Sequence, residues 1–339
     1  VHIFAVDRDG VVTRLVGGDR ACGMLNVSDN GHILVYASAD LLHTPELYVA
    51  DANGLDERRL SWLNPWLEDM ALSRPRPLTV ADSDGAPIDA WLIPPVGEGE
   101  PVAGPLVLDV HGGPHSIFGH VFFFDMQLLA ACGCGVLFVN PRATRSYGDE
   151  FATCNIGRWG EGDAPDLLAA LDAAINTGWV DAGRVGVIGL SYGGFMTNWL
   201  IGHTNRFRAA VSENSISNLV SFYGTSDIGW YFTPEEIGAE PDEDLERYRR
   251  LSPLSAANHI EAPLLLLNSL EDWRCPIEQA EQLYVALKRH GRIVEMVRFP
   301  GESHAMLANG RPQARLVRRR QILRWFATHL WAANDGPQP

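Results

Sequence analysis

The C-terminal part of the sequence alternates short apolar runs with helix-like stretches, and this alternation restricts the folds open to the chain. The helix-like stretches are Asp166–Asn176, Phe195–His203, Glu278–His290 and Pro312–Leu330. Turn residues bound the apolar runs, which are Leu106–Val110, Gly135–Val139, Val185–Gly189, Ala209–Ser212, Leu264–Asn268 and Ile293–Phe299. Strands that alternate with helices over about 230 residues predict an α/β fold, with a largely parallel sheet covered by helices on both faces.

The last helix-like stretch carries both an apolar face and many arginines. Leu316, Leu323, Phe326 and Leu330 share one face at helical spacing. We expect the arginines to form a solvated rim on the rest of the helix. They are Arg315, Arg318, Arg319, Arg320 and Arg324.

Residues 1–60 instead show short strands separated by turn signals. The runs His2–Val6 and Val11–Leu15 flank Asp9-Gly10, and two later runs, Ile33–Ala37 and Glu46–Ala50, also lie beside Asn-Gly turns. This spacing resembles β-propeller blades, each of which needs roughly 40–45 residues, while a closed propeller needs at least about four blades. We therefore predict incomplete blades and a linker over 1–77, a catalytic domain over 78–332 and a flexible tail over 333–339.

Composition excludes two classes of partner. The 339 residues include 27 Lys plus Arg and 42 Asp plus Glu, a formal net charge of −15, so the surface repels the phosphate backbone of nucleic acids. No uninterrupted apolar run approaches the roughly 18 residues of a membrane span. We expect neither nucleic-acid nor membrane binding.

The cysteines indicate a reducing compartment. Five cysteines are an odd number for a disulfide scaffold, and Cys132-Gly-Cys134 lacks the spacing of a zinc site. We expect free, buried thiols in a cytoplasmic protein. The first residues also show no secretory signal pattern.

The segment Gly189-Leu190-Ser191-Tyr192-Gly193-Gly194 follows an apolar strand and precedes a helical pattern. That context is typical of a nucleophile elbow, in which a serine projects from a sharp strand-to-helix turn. Residues two positions either side of the serine must be small for the turn to close, and Gly189 and Gly193 meet this requirement. The helix N-terminus also favours negative charge at the serine. We therefore predict Ser191 as the nucleophile.

A serine nucleophile needs a base that is itself oriented by a carboxylate, in the chain order Ser, Asp or Glu, His. Asp272 and His304 follow two later predicted strands, at the carboxyl ends where such sheets place their sites. Glu271 is an alternative to Asp272, because only one of two adjacent residues can reach the imidazole. His259, His290 and His329 read more simply as surface or capping residues.

The loop His111-Gly112-Gly113-Pro114-His115 follows an early strand and can bring bare backbone close to a carbonyl oxygen. We predict an oxyanion hole made of the Tyr192 and Gly113 N–H groups. His111 and His115 have no carboxylate or cysteine at metal-ligand spacing, so we predict no metal and no cofactor.

Aromatic residues near these loops predict an apolar pocket for the side chain that precedes the scissile bond. Three successive large rings at Trp230-Tyr231-Phe232 cannot all face one core, which makes this cluster the strongest candidate. The predicted pocket residues are Phe123, Trp159, Tyr223, Trp230 and Tyr231.

These residues together resemble the prolyl oligopeptidase family of serine peptidases, in particular its acylaminoacyl-peptidase branch. The resemblance is carried by His111-Gly112-Gly113-Pro114, Asn140-Pro141-Arg142, Trp159-Gly160, Gly189–Gly194, Gly224–Gly229, Asp272–Pro276 and Phe299–His304. It implies an α/β-hydrolase domain after a β-propeller, and hydrolysis of short peptides. It also implies the triad Ser191, Asp272 and His304, with the amides of Tyr192 and Gly113 as oxyanion donors.

The sequence departs from the family pattern in three respects. The segment Ala143-Thr144-Arg145-Ser146-Tyr147-Gly148 lacks two glycines of the usual Gly-Ser-x-Gly-Tyr-Gly, Asn214 stands where close relatives often have arginine, and most of a propeller is absent. The chain is either a C-terminal piece of a longer protein or a truncated member of the family, and in the second case open strand edges would favour a homo-oligomer. A carboxylesterase with the same triad is the alternative function, and an inactive binding module is a third reading.

Overall fold

The computed structural model describes residues 1–81, 85–97 and 102–331, so the predicted tail 333–339 lies outside the described residues. Over these residues the strands form three sheets of two, four and eight strands. The strands are β1 (Ile3–Val6), β2 (Val12–Val16), β3 (Ala21–Val27), β4 (Ile33–Ala39), β5 (Glu46–Asp51), β6 (Arg58–Arg59), β7 (Arg76–Ala81), β8 (Pro87–Ile93), β9 (Gly104–Val110), β10 (Gly135–Val139), β11 (Val180–Leu190), β12 (Ala209–Glu213), β13 (Leu264–Ser269) and β14 (Val294–Phe299).

Helices fill most of the connections after residue 120. They are α1 (Phe124–Ala131), α2 (Asp149–Thr153), α3 (Ala164–Asn176), α4 (Tyr192–His203), α5 (Leu219–Thr225), α6 (Gly229–Ile237), α7 (Leu245–Arg250), α8 (Ile277–Arg289), α9 (Met306–Asn309) and α10 (Pro312–Phe326). Two 3₁₀ segments, Pro65–Asp69 and Pro253–His259, and a π-helical end, Ala327–Trp331, complete the described structure.

The largest sheet, which we call the main sheet, has the strand order β14-β13-β12-β11-β9-β10-β8-β7. Strands β9 to β14 pair in parallel, whereas β8 pairs antiparallel with β10 and with β7. The predicted α/β fold is confirmed, because the six apolar runs form the six parallel strands. The carboxyl ends of these strands lie at one edge, where their loops meet.

The sequence missed the antiparallel end of the main sheet. The predicted linker includes Pro77, which instead lies in β7 opposite Trp91 of β8. A proline lacks the N–H that a central strand needs, so it is tolerated on an edge strand such as β7. The proline at this position hid the strand pattern of β7 in the sequence.

Side chains alternate between the two faces of the main sheet. In β9, Leu106, Leu108 and Val110 pack in one core with α3, α4 and α8, while Val107 packs in the other with α1 and α10. Fully apolar strands such as Leu264–Leu267 supply both cores at once, as expected for strands buried on both faces.

The N-terminal strands form two small antiparallel sheets, β1-β2 and β3-β4-β5-β6. Their separate core consists of a few apolar side chains, among them Ile3, Val16 and the fully buried Tyr36. These strands agree with the short all-β segment that the turn signals predicted.

Arg318 corrects the prediction that the arginines of α10 form a solvated rim. It is 3 % exposed and donates to both carboxylate oxygens of Glu213, at 2.5 and 2.6 Å, and also to Asp125. Arg319 binds the other oxygen of Asp125 at 2.6 Å. The carboxylates come from β12 and α1, so the sequence of α10 gives no sign of them.

The five cysteines are unpaired, as predicted, but only Cys22, Cys134 and Cys275 are buried. Cys132 and Cys154 are exposed, because each lies at the end of a short helix near the surface. Within the described ranges, no helix combines the length and the apolar character needed to cross a bilayer.

Arg318→Ala is expected to lower the free energy of unfolding by about 3–5 kcal/mol, because it leaves the buried Glu213 carboxylate without its guanidinium partner. The matched control is Arg324→Ala on the same helix, whose ion pair with Glu295 is exposed and should contribute about 0–1 kcal/mol. Urea denaturation measures both variants. Equal, small losses would show that the buried ion pairs do not hold α10 to the sheet.

Candidate active site

Ser191 occupies the turn between β11 and α4 with φ 63° and ψ −121°, a backbone conformation that is strained for a residue with a Cβ. Two glycines make the turn sterically feasible. A Cβ on Gly189 would lie 2.2 Å from the Gly193 carbonyl carbon, and a Cβ on Gly193 would lie 1.9 Å from the Val110 carbonyl oxygen. The turn therefore requires glycine at both positions.

The three residues predicted from strand ends lie within hydrogen-bond distance of one another. His304 Nε2 is 3.0 Å from Ser191 Oγ, and His304 Nδ1 is 2.8 Å from Asp272 Oδ2. Ser191 follows β11, Asp272 follows β13 and His304 follows β14, so three parallel strands deliver the three groups to one edge. The imidazole can accept a proton from the hydroxyl while the carboxylate holds its other nitrogen.

The second oxygen of Asp272 is also occupied. Oδ1 accepts the backbone N–H groups of Arg274 at 2.9 Å and Cys275 at 2.8 Å, which fixes the rotamer that presents Oδ2 to His304. Asp272 is buried, whereas the neighbouring Glu271 is exposed. Of the two acidic residues that the sequence left open, the structure brings Asp272 to the imidazole.

Asn214 ties the loops of the site together, a function that the sequence did not reveal. Its side-chain amide donates to the His304 carbonyl oxygen and to Ser269 Oγ, both at 3.2 Å, and its Oδ1 accepts the Ser269 N–H at 2.7 Å. Asn214 thus joins the end of β12 to the loop that carries His304. Its one sequence signal was the departure from the arginine common in relatives.

The two predicted oxyanion donors have free backbone N–H groups. In the described part of the chain, neither the Tyr192 N–H nor the Gly113 N–H donates to a protein acceptor. Tyr192 is the first residue of α4, where an N–H has no partner within the helix. The predicted oxyanion loop, residues 111–115, packs against Ser191, because a Cβ on Gly112 would lie 3.4 Å from Ser191 Cβ.

A buried carboxylate anchors the end of the oxyanion loop. His115 Nε2 lies 2.7 Å from Glu236 Oε1 of α6, and its Nδ1 lies 2.8 Å from the Ala143 carbonyl oxygen. The other Glu236 oxygen accepts the indole N–H of Trp159 at 3.1 Å. The loop is therefore held from two sides by hydrogen bonds to the His115 ring.

The Tyr192 side chain points away from the proposed reaction centre into a polar network. Its hydroxyl donates to Asp163 Oδ2 and accepts from Asn155 Nδ2 at 3.3 Å. Burial raises the pKa of Asp163 to about 6, although the hydrogen bond from Tyr192 opposes this shift. The network fixes the start of α4 and hence the direction of the Tyr192 N–H.

The five residues of the predicted substrate pocket do not line one cavity. Trp159 is only 1 % exposed and packs edge-on to Tyr192, so it offers no face to a ligand, contrary to its assignment. Phe123 lines a cavity on the α1 side of the main sheet. Trp230 and Tyr231 are exposed on α6, with ring centroids 5.2 Å apart, and Tyr223 is partly exposed on α5.

The α5–α6 turn is bound to the loop that carries Asp272. The Asp227 N–H donates to the Trp273 carbonyl oxygen at 2.9 Å, and Ser226 Oγ donates to the Arg274 carbonyl oxygen at 2.7 Å. The exposed Trp230 is thereby fixed on the same side of the molecule as the Asp272 loop.

No cluster of three metal-ligating side chains occurs among the residues that the structure describes.

Comparison with known proteins identifies a family. The model of the prolyl oligopeptidase family matches residues 120–332. The uncharacterized peptidase YuxL of Bacillus subtilis is 44 % identical over 280 residues, which cover 82 % of this chain and 42 % of that protein. The acylamino-acid-releasing enzyme of Arabidopsis thaliana is 36 % identical and is matched over 30 % of its length. The chain therefore spans less than half the length of these relatives.

Solved structures give the same result. The acylaminoacyl peptidase of Pyrococcus horikoshii superposes with a TM-score of 0.91 at 33 % identity, covering 99 % of this chain and 54 % of that protein. A puromycin-hydrolyzing peptidase of Mycobacterium tuberculosis superposes with a TM-score of 0.87 at 26 % identity, covering all of this chain and 52 % of that one.

Gly193→Ala is expected to lower the free energy of unfolding by about 1–3 kcal/mol, because the new Cβ would overlap the Val110 carbonyl oxygen. Gly224→Ala is the matched control, since nothing lies within 4 Å of its added Cβ and alanine favours the helix by up to about 1 kcal/mol. Thermal and urea unfolding test the pair. A Gly193→Ala protein as stable as the control would contradict the close approach of α4 to β9.

Proposed function

The chain belongs to the prolyl oligopeptidase family, and we propose on this basis that it is a serine peptidase that hydrolyses short peptides through an acyl-enzyme. The observation that carries the proposal is the continuous hydrogen-bonded chain from Ser191 Oγ through the His304 ring to the buried Asp272 carboxylate. The similarity of this chain to the peptidases reported above also supports the proposal.

His304 takes the proton of Ser191 Oγ as the oxygen attacks the peptide carbonyl carbon. Asp272 holds the tautomer of His304 in which Nε2 is free to accept, and then stabilises the imidazolium. His304 next gives the proton to the leaving amine, the C–N bond breaks, and an ester to Ser191 remains. Water, activated by His304 in the same way, hydrolyses this ester and restores the serine.

The Tyr192 and Gly113 N–H groups stabilise the negative charge that develops on the carbonyl oxygen. Each such donor contributes about 3 kcal/mol of transition-state stabilisation. The free N–H groups and the rigid anchoring of the loop through His115 support this assignment.

We propose that the exposed aromatic surface of Tyr223, Trp230 and Tyr231 binds an apolar side chain next to the scissile bond. One solved relative at 34 % identity is an acylaminoacyl peptidase in complex with Z-Gly-Gly-Phe-chloromethyl ketone, and others hydrolyse puromycin. The ligand and the substrate of these relatives support peptides or aminoacyl amides with an aromatic residue as substrates of this chain.

The unpaired cysteines support a reducing compartment, and we propose the cytoplasm as the place of action. Short peptides are the proposed partners. Formation of a homo-oligomer through open strand edges stays a prediction.

Ser191→Ala is expected to lower kcat on a short peptide by about 10⁶, because no other hydroxyl replaces the nucleophile. Asp272→Asn should lower kcat by about 10⁴, because the amide favours the wrong tautomer of His304. The measurement is release of a chromophore from an acylated aminoacyl anilide. Glu271→Gln is the matched control, since Glu271 is adjacent in sequence but exposed.

Near-normal turnover of the Ser191→Ala protein would contradict the assignment of the nucleophile. A loss confined to Glu271→Gln would instead identify Glu271 as the orienting carboxylate. A fluorophosphonate probe, which labels an activated serine without any substrate preference, should modify the wild-type chain and leave the Ser191→Ala chain unlabelled.

A comparison of amide hydrolysis with ester hydrolysis distinguishes a peptidase from a carboxylesterase that uses the same triad. We expect kcat/KM for an acylated aminoacyl amide to fall by more than about tenfold in Trp230→Ala, since the aromatic surface binds the substrate. A simple ester of equal acyl length should be affected less. Turnover of the ester alone, with no amide hydrolysis above background, would favour the esterase.

A further inference from the structure

A cavity of about 370 Å³ lies behind the proposed reaction centre, between the main sheet and the helices α1 and α10. Most of its wall is apolar and includes Ile117, Phe118, Phe123, Leu129, Ile322 and Leu323. The proposed mechanism does not use this cavity. Its size is that of a site for a small organic molecule.

Strand alternation brings two polar side chains to the cavity. Asp109 in β9 lies on the face of the main sheet that α1 and α10 cover, and His111 follows it by two residues at the start of the oxyanion loop. Both residues line the cavity. At about 3.3 Å per residue, their Cα atoms lie about 7 Å apart on the same side.

The charges around the cavity are unequal. Arg318 binds both oxygens of Glu213, and Arg318 and Arg319 together bind both oxygens of Asp125. The Asp109 carboxyl makes no hydrogen bond to any residue in the described ranges. Three carboxyls therefore face two guanidiniums, and Asp109 is the one left over.

His111 presents an unused acceptor to the same cavity. Its Nδ1 lies 2.8 Å from the Gly112 carbonyl oxygen, so Nδ1 carries the proton and Nε2 is left as an acceptor. His111 is 9 % exposed, and its buried Nε2 has no partner among the described residues. Burial lowers the pKa of His111 to about 4, which keeps the ring neutral.

We propose that this cavity binds a small apolar primary amine, with its ammonium group between Asp109 and His111. Both groups accept hydrogen bonds, and an ammonium supplies three donors together with the missing positive charge. The apolar wall around Phe118 and Phe123 takes the hydrocarbon part. The amine is either a free arylalkylamine or the N-terminus of a small apolar amino-acid amide, which share this chemistry.

The affinity depends on pH through Asp109. Burial raises the pKa of Asp109 to about 7, the charges of Asp125 and Glu213 add to the shift, and Arg318 opposes it. Arg319 also lines the cavity, and the lowered pKa of His111 keeps its ring neutral over this range. The ionised fraction of Asp109 thus rises between pH 6 and pH 8 while the ligand stays an ammonium, so the affinity should increase about tenfold.

Isothermal titration of the full chain with phenethylamine and with phenethyl alcohol tests the site. We expect the amine to bind more than about tenfold more tightly than the alcohol at pH 8, because only the amine brings a charge to Asp109. Phenylalaninamide and N-acetylphenylalaninamide, compared in the same way in the Ser191→Ala chain, show whether an amino-acid N-terminus is accepted. Since binding is measured at equilibrium, the result does not depend on the proposed peptidase activity.

Asp109→Asn should weaken amine binding more than about tenfold at pH 8 and leave binding of the alcohol nearly unchanged. The matched control is Asp172→Asn, which removes an exposed carboxylate on the opposite face of the main sheet. Without ligand, Asp109→Asn should raise the melting temperature more at pH 8 than at pH 5. The reason is that the raised pKa makes ionised Asp109 a cost that grows as pH rises from about 4 through 7.

Leu323→Phe keeps all the charges and narrows the cavity, so it should weaken the amine and the alcohol alike. Equal affinities for amine and alcohol, with no effect of Asp109→Asn, would reduce the cavity to an apolar site and overturn the proposal. Absence of amine binding at millimolar concentration in a folded wild-type chain would overturn it as well.

Discussion

The close approach of α4 to the end of β9 is the contact on which the rest of the site depends. Gly193 lies against the Val110 carbonyl oxygen and Gly112 lies against Ser191, so the turn that carries Ser191 and the predicted oxyanion loop pack directly against each other through bare backbone. A Cβ on Gly193 would lie 1.9 Å from the Val110 carbonyl oxygen and would force the two segments apart. The position of the two proposed oxyanion donors relative to Ser191 is therefore set by backbone packing, before any side chain contributes.

Buried polar groups then fix the side chains and loops that the backbone contact does not position. The Asp272 carboxylate has both oxygens occupied, Asn214 holds the His304 carbonyl oxygen, and Glu236 holds His115. Each of these groups is satisfied by geometry that several distant segments supply together. Such networks stabilise the fully formed arrangement of the loops relative to a partly formed one, because an unpaired buried polar group costs about 1–3 kcal/mol.

The sequence predicted the parts of the molecule that local pattern determines. Apolar runs gave the parallel strands, and the rule that sites lie at strand carboxyl ends selected Ser191, Asp272 and His304, which the structure brings within hydrogen-bond distance. It failed where a residue's environment comes from remote segments. Arg318 is buried because it binds Glu213 of β12 and Asp125 of α1. Trp159 is covered because it packs against Tyr192 and binds Glu236. Pro77 fits into a strand because β7 is the edge strand of the main sheet.

Helix α6 links the aromatic surface to the oxyanion loop. Trp230 and Tyr231 are exposed near its start, while Glu236, one to two turns later on the same rigid element, binds His115. A ligand that packs on the two rings therefore bears on the helix that anchors the loop. The rings and Glu236 belong to one helix of nine residues, with Pro234 between them, so a single element carries both the aromatic surface and the His115 hydrogen bond. Substrate binding and charge stabilisation in the proposed mechanism thus share one structural support.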